Sequence, residues 1–234
     1  MLNKTQTLLA LTVAACGISF PATAYYSIYS PKVEYGETEL ELYGQYISDD
    51  DPAADGAQQY ILEVAKGITP KAYLRAKLET EKVPGEDLKT EAVAVYGGYL
   101  LTEPGESSWD VVLQTEIEYS IADSKLAAVA FGPLLATEVG DNMTFTANLI
   151  AEYAIEERFT EGNVNAQLKW RLNPVFEPAI EVFTNNENRR LIGPVVMGKI
   201  KTTSAKIGYQ LGWLTGMNND TDDNTYKFEV EYEF

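Results

Sequence analysis

Tyr226-Lys227-Phe228-Glu229-Val230-Glu231-Tyr232-Glu233-Phe234 closes the chain, with aromatic or apolar residues alternating with charged ones up to the last position. A period of two belongs to a β-strand, whose successive side chains point to opposite faces, so this stretch has one apolar wall and one charged wall. Taken alone, it fits the edge of a soluble antiparallel sheet as well as a strand between lipid and water. The rest of the chain separates the two.

The same alternation recurs upstream. Glu37, Glu39 and Glu41 alternate with Thr38, Leu40 and Leu42, and the pattern is cleanest in the stretches 71–79, 111–119 and 164–172. Strands are expected near 37–46, 58–66, 71–80, 87–101, 109–120, 125–138, 142–155, 164–172, 175–184, 190–201, 204–214 and 225–234. That makes about twelve, with ten as the alternative, an even number of the kind that bacterial outer-membrane barrels use. Pro133 and Pro194 interrupt two of these stretches, where a proline would remove a ladder donor. Such barrels join strands by longer outer loops and tight inner turns. Here the outer candidates are 48–57, 81–86, 121–124, 156–163, 185–189 and 215–224, alternating with short turns. The turn at 102–108 is long and the loop at 121–124 short, which leaves room for a slip of one hairpin. Trp109, Trp170, Tyr232 and Phe234 fall at inner strand ends, and Tyr46, Tyr119, Trp213 and Tyr226 at outer ends. Two aromatic girdles mark a membrane barrel rather than a sandwich core. The fold class expected is therefore all-β: a transmembrane antiparallel up-and-down β-barrel. Its closing strand, with Tyr226, Phe228, Val230, Tyr232 and the terminal Phe234, resembles the assembly signal of bacterial outer-membrane barrels.

At the other end, Lys4 precedes an apolar run from Leu8 to Phe20, followed by the small residues Ala22-Thr23-Ala24. This predicts a secretory signal peptide over 1–24 and a single barrel domain over 25–234, exported to the cell outer membrane. Val13-Ala14-Ala15-Cys16 offers a rival lipobox cleavage, in which Cys16 would be acylated. Cleavage after Ala24 leaves no cysteine, and hence neither disulfides nor thiolate metal sites.

The chain has no histidine, which excludes a Ser-His-Asp triad, a His-bearing zinc site and every histidine base. No enzyme activity and no cofactor are expected. A net charge of −17 argues against nucleic acid as a partner.

The stretches 30–41, 176–181, 192–199 and 208–216, which include Ser30-Pro31-Lys32-Val33-Glu34-Tyr35-Gly36, Phe176-Glu177-Pro178-Ala179-Ile180-Glu181 and Ile192-Gly193-Pro194-Val195-Val196-Met197-Gly198-Lys199, resemble a proteobacterial family of outer-membrane β-barrel proteins without an assigned activity. More loosely, the chain is similar to barrels associated with the meta-pathway of phenol degradation. The resemblance implies a fold and a location and brings no catalytic residue with it. Outer-membrane lipid, lipopolysaccharide and the barrel assembly machinery are the partners expected, together with an unidentified small solute.

If the apolar members of each alternating pair face lipid, the others line a lumen. The candidates are Glu37, Glu39, Glu41, Arg75, Lys77, Glu116, Glu118, Lys169, Arg171, Lys199, Lys201, Lys206, Glu229, Glu231 and Glu233. Closing the barrel would set the glutamate triplets of the first and last strands side by side. Two readings follow: a transverse field that orients a charged solute, or a network of salt bridges that fills a narrow barrel. Asp49, Asp50, Asp51 and Asp55 crowd one outer loop, but their spacing matches no calcium loop, so no metal site is assigned and solvated anionic loops are expected. Together these features point to a passive channel or uptake barrel for small polar or amphipathic solutes. The alternative is a plugged barrel with a structural or surface-interaction role.

Overall fold

The computed structural model describes residues 26–31, 35–103 and 106–234. The expected signal peptide over 1–24, Cys16 included, lies outside the described residues. Within them the chain forms twelve strands and no helix: β1 (Thr38–Ser48), β2 (Gln58–Thr69), β3 (Ala72–Lys82), β4 (Lys89–Leu100), β5 (Asp110–Ser120), β6 (Lys125–Val139), β7 (Met143–Ala154), β8 (Phe159–Trp170), β9 (Glu177–Asn185), β10 (Arg190–Lys201), β11 (Lys206–Gly216) and β12 (Asn224–Glu233). Each pairs antiparallel with its sequence neighbours, and β1 pairs with β12 to close the sheet. Closure leaves no edge, so every strand finds a hydrogen-bonding partner on both sides, as a wall in lipid requires. The seam is fastened at its rim by Thr38 and Phe234, each backbone N–H donating to the other's carbonyl at 3.0 and 2.9 Å.

The alternation in sequence becomes an alternation of faces. On β12, Tyr226, Val230 and Tyr232 are exposed on the outside, whereas Thr225, Lys227 and Glu233 are buried within. Aliphatic residues such as Leu62, Val95, Leu113, Ile117, Ile180 and Leu211 cover the middle of the outer face. Aromatic residues take the strand ends: Tyr46, Tyr119, Trp213 and Tyr226 at one rim, Trp109, Tyr232 and Phe234 at the other. There is no slip at the doubtful hairpin. The long connection 101–109 and the short one 121–124 fall on the rims expected of them.

Both proline-bearing stretches are strands, and each solves the missing donor in the same way. Pro133 keeps its pairing with Leu113 of β5, but the ladder to β7 jumps from Phe131↔Ala151 to Leu134↔Asn148. Similarly, β10 pairs Pro194 with Ile180 of β9 while its ladder to β11 jumps from Ile192↔Thr215 to Val195↔Gly212. A glycine precedes each proline, and the Leu149 and Trp213 carbonyls press into the space that a Cβ on Gly132 or Gly193 would occupy. Gly-Pro therefore skips two residue pairs on one side without breaking the strand or changing its register.

Candidate functional site: the barrel interior

Closure creates an electrostatic problem along the inner seam. Glu39 lies opposite Glu233, and Glu41 opposite Glu231. Like charges facing each other across a strand pair destabilise it, and cations reach in from both sides to compensate. From β3, Arg75 pairs with Glu63 of β2 and lies 3.3 Å from Glu39 and 3.7 Å from Glu41. From the opposite flank, Lys206 lies 2.9 Å from Glu37 and 2.8 Å from Glu233, and Lys199 pairs with Glu233 and sits 3.3 Å from Glu231. Five of the six glutamates in the two triplets thus have a cation within 4 Å, a local salt-bridge network along the seam.

Further pairs line the rest of the wall. Lys77 lies 2.6 Å from both Glu79 and Glu116, and Lys169 lies 3.0 Å from Glu177. Glu118 joins Glu79 and Glu116 in one carboxylate group, and Glu39, Glu231 and Glu233 form a second. Lysine ammonium groups already supply the positive charge that a metal would bring to these carboxylates. Deepest is Lys227, fully buried, which donates to Glu181 at 2.9 Å. The other Glu181 oxygen accepts from Gln167 at 2.8 Å and Gln210 at 3.2 Å. A buried carboxylate is tolerable when its lone pairs are satisfied in this way.

Residues 26–31 lie inside the barrel, and the sequence pattern assigned them no role. The carbonyl of Tyr26 accepts from Lys227 Nζ at 2.7 Å, and its ring meets Phe183 edge-on at 5.3 Å in a nest completed by Leu191 and Leu214. Tyr29 is held by the Asn148 carboxamide, which accepts from its N–H at 2.8 Å and donates to its carbonyl at 2.9 Å. Its ring packs 5.7 Å from that of Tyr96, and the Arg75 guanidinium lies 5.8 Å over it. A second apolar nest of Tyr73, Tyr96, Leu100, Val112 and Leu134 receives it. The lumen is therefore not uniformly polar. A signal was available in the sequence: apolar Tyr43, Tyr73, Tyr96, Leu134, Phe183 and Leu214 occupy the inward parity, and tyrosines crowd the stretch before β1.

The structure places Glu39, Glu41, Arg75, Lys77, Glu116, Glu118, Lys169, Lys206, Glu229, Glu231 and Glu233 on the inward-facing parity of their strands, with Glu37 just before β1. Lys199 and Lys201 have the same parity but stand at the rim, where Lys201 lines a shallow cavity with Glu37, Glu233 and Phe234. Arg171 departs from the expectation. It falls beyond the end of β8 and spends its guanidinium on Glu138, at 2.6 and 3.1 Å, at the exposed rim. In the outer loop, Asp49, Asp51 and Asp55 use their carboxylates to accept backbone N–H groups, including that of Asp223 at 2.8 Å. Asp50 belongs to the same knot through its own N–H, which donates to the Asp223 carboxylate at 3.1 Å. Next to it, burial holds the Asp222 carboxyl above the ordinary aspartate range against the pull of Arg189, with Asp49 and Asp223 adding to the rise.

No protein-family model and no curated protein matches this sequence, so neither the likeness to the proteobacterial family nor that to the phenol-degradation barrels gains support from sequence relatives. Solved structures do match. The chain is similar to the KdgM porin with a TM-score of 0.57 and 10% identity, over 84% of this chain and 99% of that one. The fold is that of an outer-membrane β-barrel. A structure described as the KdgM porin in complex with disordered oligogalacturonate gives 0.54 and 8% identity, over 84% of this chain and 98% of that one. The NanC porin gives 0.55 and 13%, over 83% and 98%. These likenesses establish architecture.

Proposed function

We propose that this chain is a passive outer-membrane channel or uptake barrel for small polar or amphipathic solutes. The observation that carries the reading is a closed twelve-strand wall with an apolar, aromatic-belted outside and an inside lined by charged and amide side chains. Fold likeness to porins supports a channel over a permanently plugged, purely structural barrel. Lipid and lipopolysaccharide would surround the wall. Tyr226, Phe228, Val230, Tyr232 and Phe234 would serve as the signal read by the assembly machinery, after export and cleavage behind Ala24. The family likeness in the sequence motifs is compatible with this role. No residue is assigned a catalytic part, and no cofactor is invoked.

Planar-bilayer recording tests the proposal. Much of the internal charge is paired, so discrimination should come mainly from the anionic outer loops, as a mild preference for cations. Exposed loop charges are screened over about 10 Å at 0.1 M salt and about 3 Å at 1 M. Changing Asp49, Asp50 and Asp51 together to Asn, which preserves acceptors for the loop's N–H groups, should therefore lower the cation preference at low salt and leave it nearly unchanged at high salt. A preference for anions, or no conductance from any variant, would overturn the reading.

A further inference from the structure

We infer that residues 26–31 act as a displaceable crossbar that closes the lumen, an inference that rests on the channel reading above. Tyr29 is seated against β3, β4 and β7 through Arg75, Tyr96 and Asn148, whereas Tyr26 is seated against β9 to β12 through Phe183, Leu191, Leu214 and Lys227. On the closed ring, β4 and β10 stand opposite each other, as do β1 and β7. The segment therefore passes from one wall to the other. Tyr26 and Ser27 are buried, as are Gln45, Glu63, Asn148 and Glu181 on the wall. A polar channel with water along its axis would leave such groups wet.

The attachments suit a part that leaves its seat. The segment belongs to no strand or helix, so its release breaks no ladder. Its polar contacts to the wall include the Lys227–Tyr26 hydrogen bond and the two-pronged Asn148–Tyr29 contact. The wall pairs persist without it: Lys227 retains Glu181, and Arg75 retains Glu39, Glu41 and Glu63. Downstream it is tethered where Gly36 donates to the Gly67 carbonyl at 3.1 Å, at the rim that holds the β1–β12 seam. With the proposed cleavage after Ala24, its other end would be free just beyond Tyr26. A tether at one end, with a few hydrogen bonds and two apolar seats along the segment, describes a bar that swings out while the barrel stays intact. A solute that offers acceptors and an aromatic or amphipathic face would compete for the seat.

Two readouts on the mature, membrane-extracted protein test this. In the first, Ser27→Cys provides a single thiol, and its reaction with a charged, membrane-impermeant thiosulfonate is compared with that of Asp50→Cys in the exposed loop. Ser27→Cys should react far more slowly, and adding Asn148→Ala should speed it roughly tenfold, the scale expected for losing two neutral hydrogen bonds. In the second, single-channel recording compares the full mature chain with Asn148→Ala and with a deletion of 26–31. The full chain should be mostly closed, and both variants should spend a larger fraction of time open. Equal thiol rates at positions 27 and 50, or equal open fractions in the full chain and the variants, would overturn the crossbar. If the deletion fails to assemble, Asn148→Ala decides the recording. If no variant conducts while the thiol rates differ as expected, the channel reading falls and the buried crossbar stands as a fixed plug.

Discussion

The two faces of β12 come from one stretch of ten residues and obey different rules. Outside, Tyr226, Val230 and Tyr232 need only be apolar or aromatic at the right depth, because lipid makes no directional demands. Inside, Lys227 must meet Glu181 and Tyr26, and Glu233 must meet Lys199 and Lys206. The outer face is thus specified by composition and the inner face by partners. Substitutions inside should be costly when they orphan a charge and recoverable when the partner is changed as well. Substitutions outside should depend only on polarity and depth.

The sharpest test is Lys227→Met. Breaking a buried ion pair by removing one partner costs about 3–5 kcal/mol, and here it leaves Glu181 fully buried without its cation. Unfolding from lipid vesicles in urea, followed by tryptophan fluorescence, should show that loss, and adding Glu181→Gln should recover much of it. Without recovery, the inner face would not be specified by pairs. Leu211→Arg, in mid-strand on the lipid side of β11, should cost about 2–4 kcal/mol in the same assay. No single change of an inward-facing neighbour should rescue it, and rescue by an internal substitution would break the distinction from the other side. Smallest of all, Arg171→Ala removes an ion pair at the exposed rim, where solvent screens the interaction, and should leave the unfolding midpoint unchanged. A clear loss there would extend the paired interior out to the rim.

Strand number, strand faces and girdles were legible because a β-strand writes its faces locally, at a period of two. Pro133 and Pro194 looked like interruptions because a proline subtracts a donor, yet the glycine before each lets a neighbouring carbonyl close in, and that compensation lies on the adjacent strand. The glutamate seam was also legible, since closing an up-and-down barrel forces first and last strands together. Its cations were visible as residues, but not as partners. Arg75 reaches two strands back to Glu39, a distance set by the sheet's curvature and the side chain's reach.

By itself, the sequence determined that this protein is a lipid-facing barrel with a charged interior and no histidine chemistry, because those properties depend on composition and on the parity of neighbouring residues. Only the tertiary structure decided what fills that interior. Tyr29 meets Asn148 across 119 positions and Tyr26 meets Lys227 across 201. Contacts of that range leave no period in the chain. They exist because closing the ring brings opposite walls within the reach of one short segment.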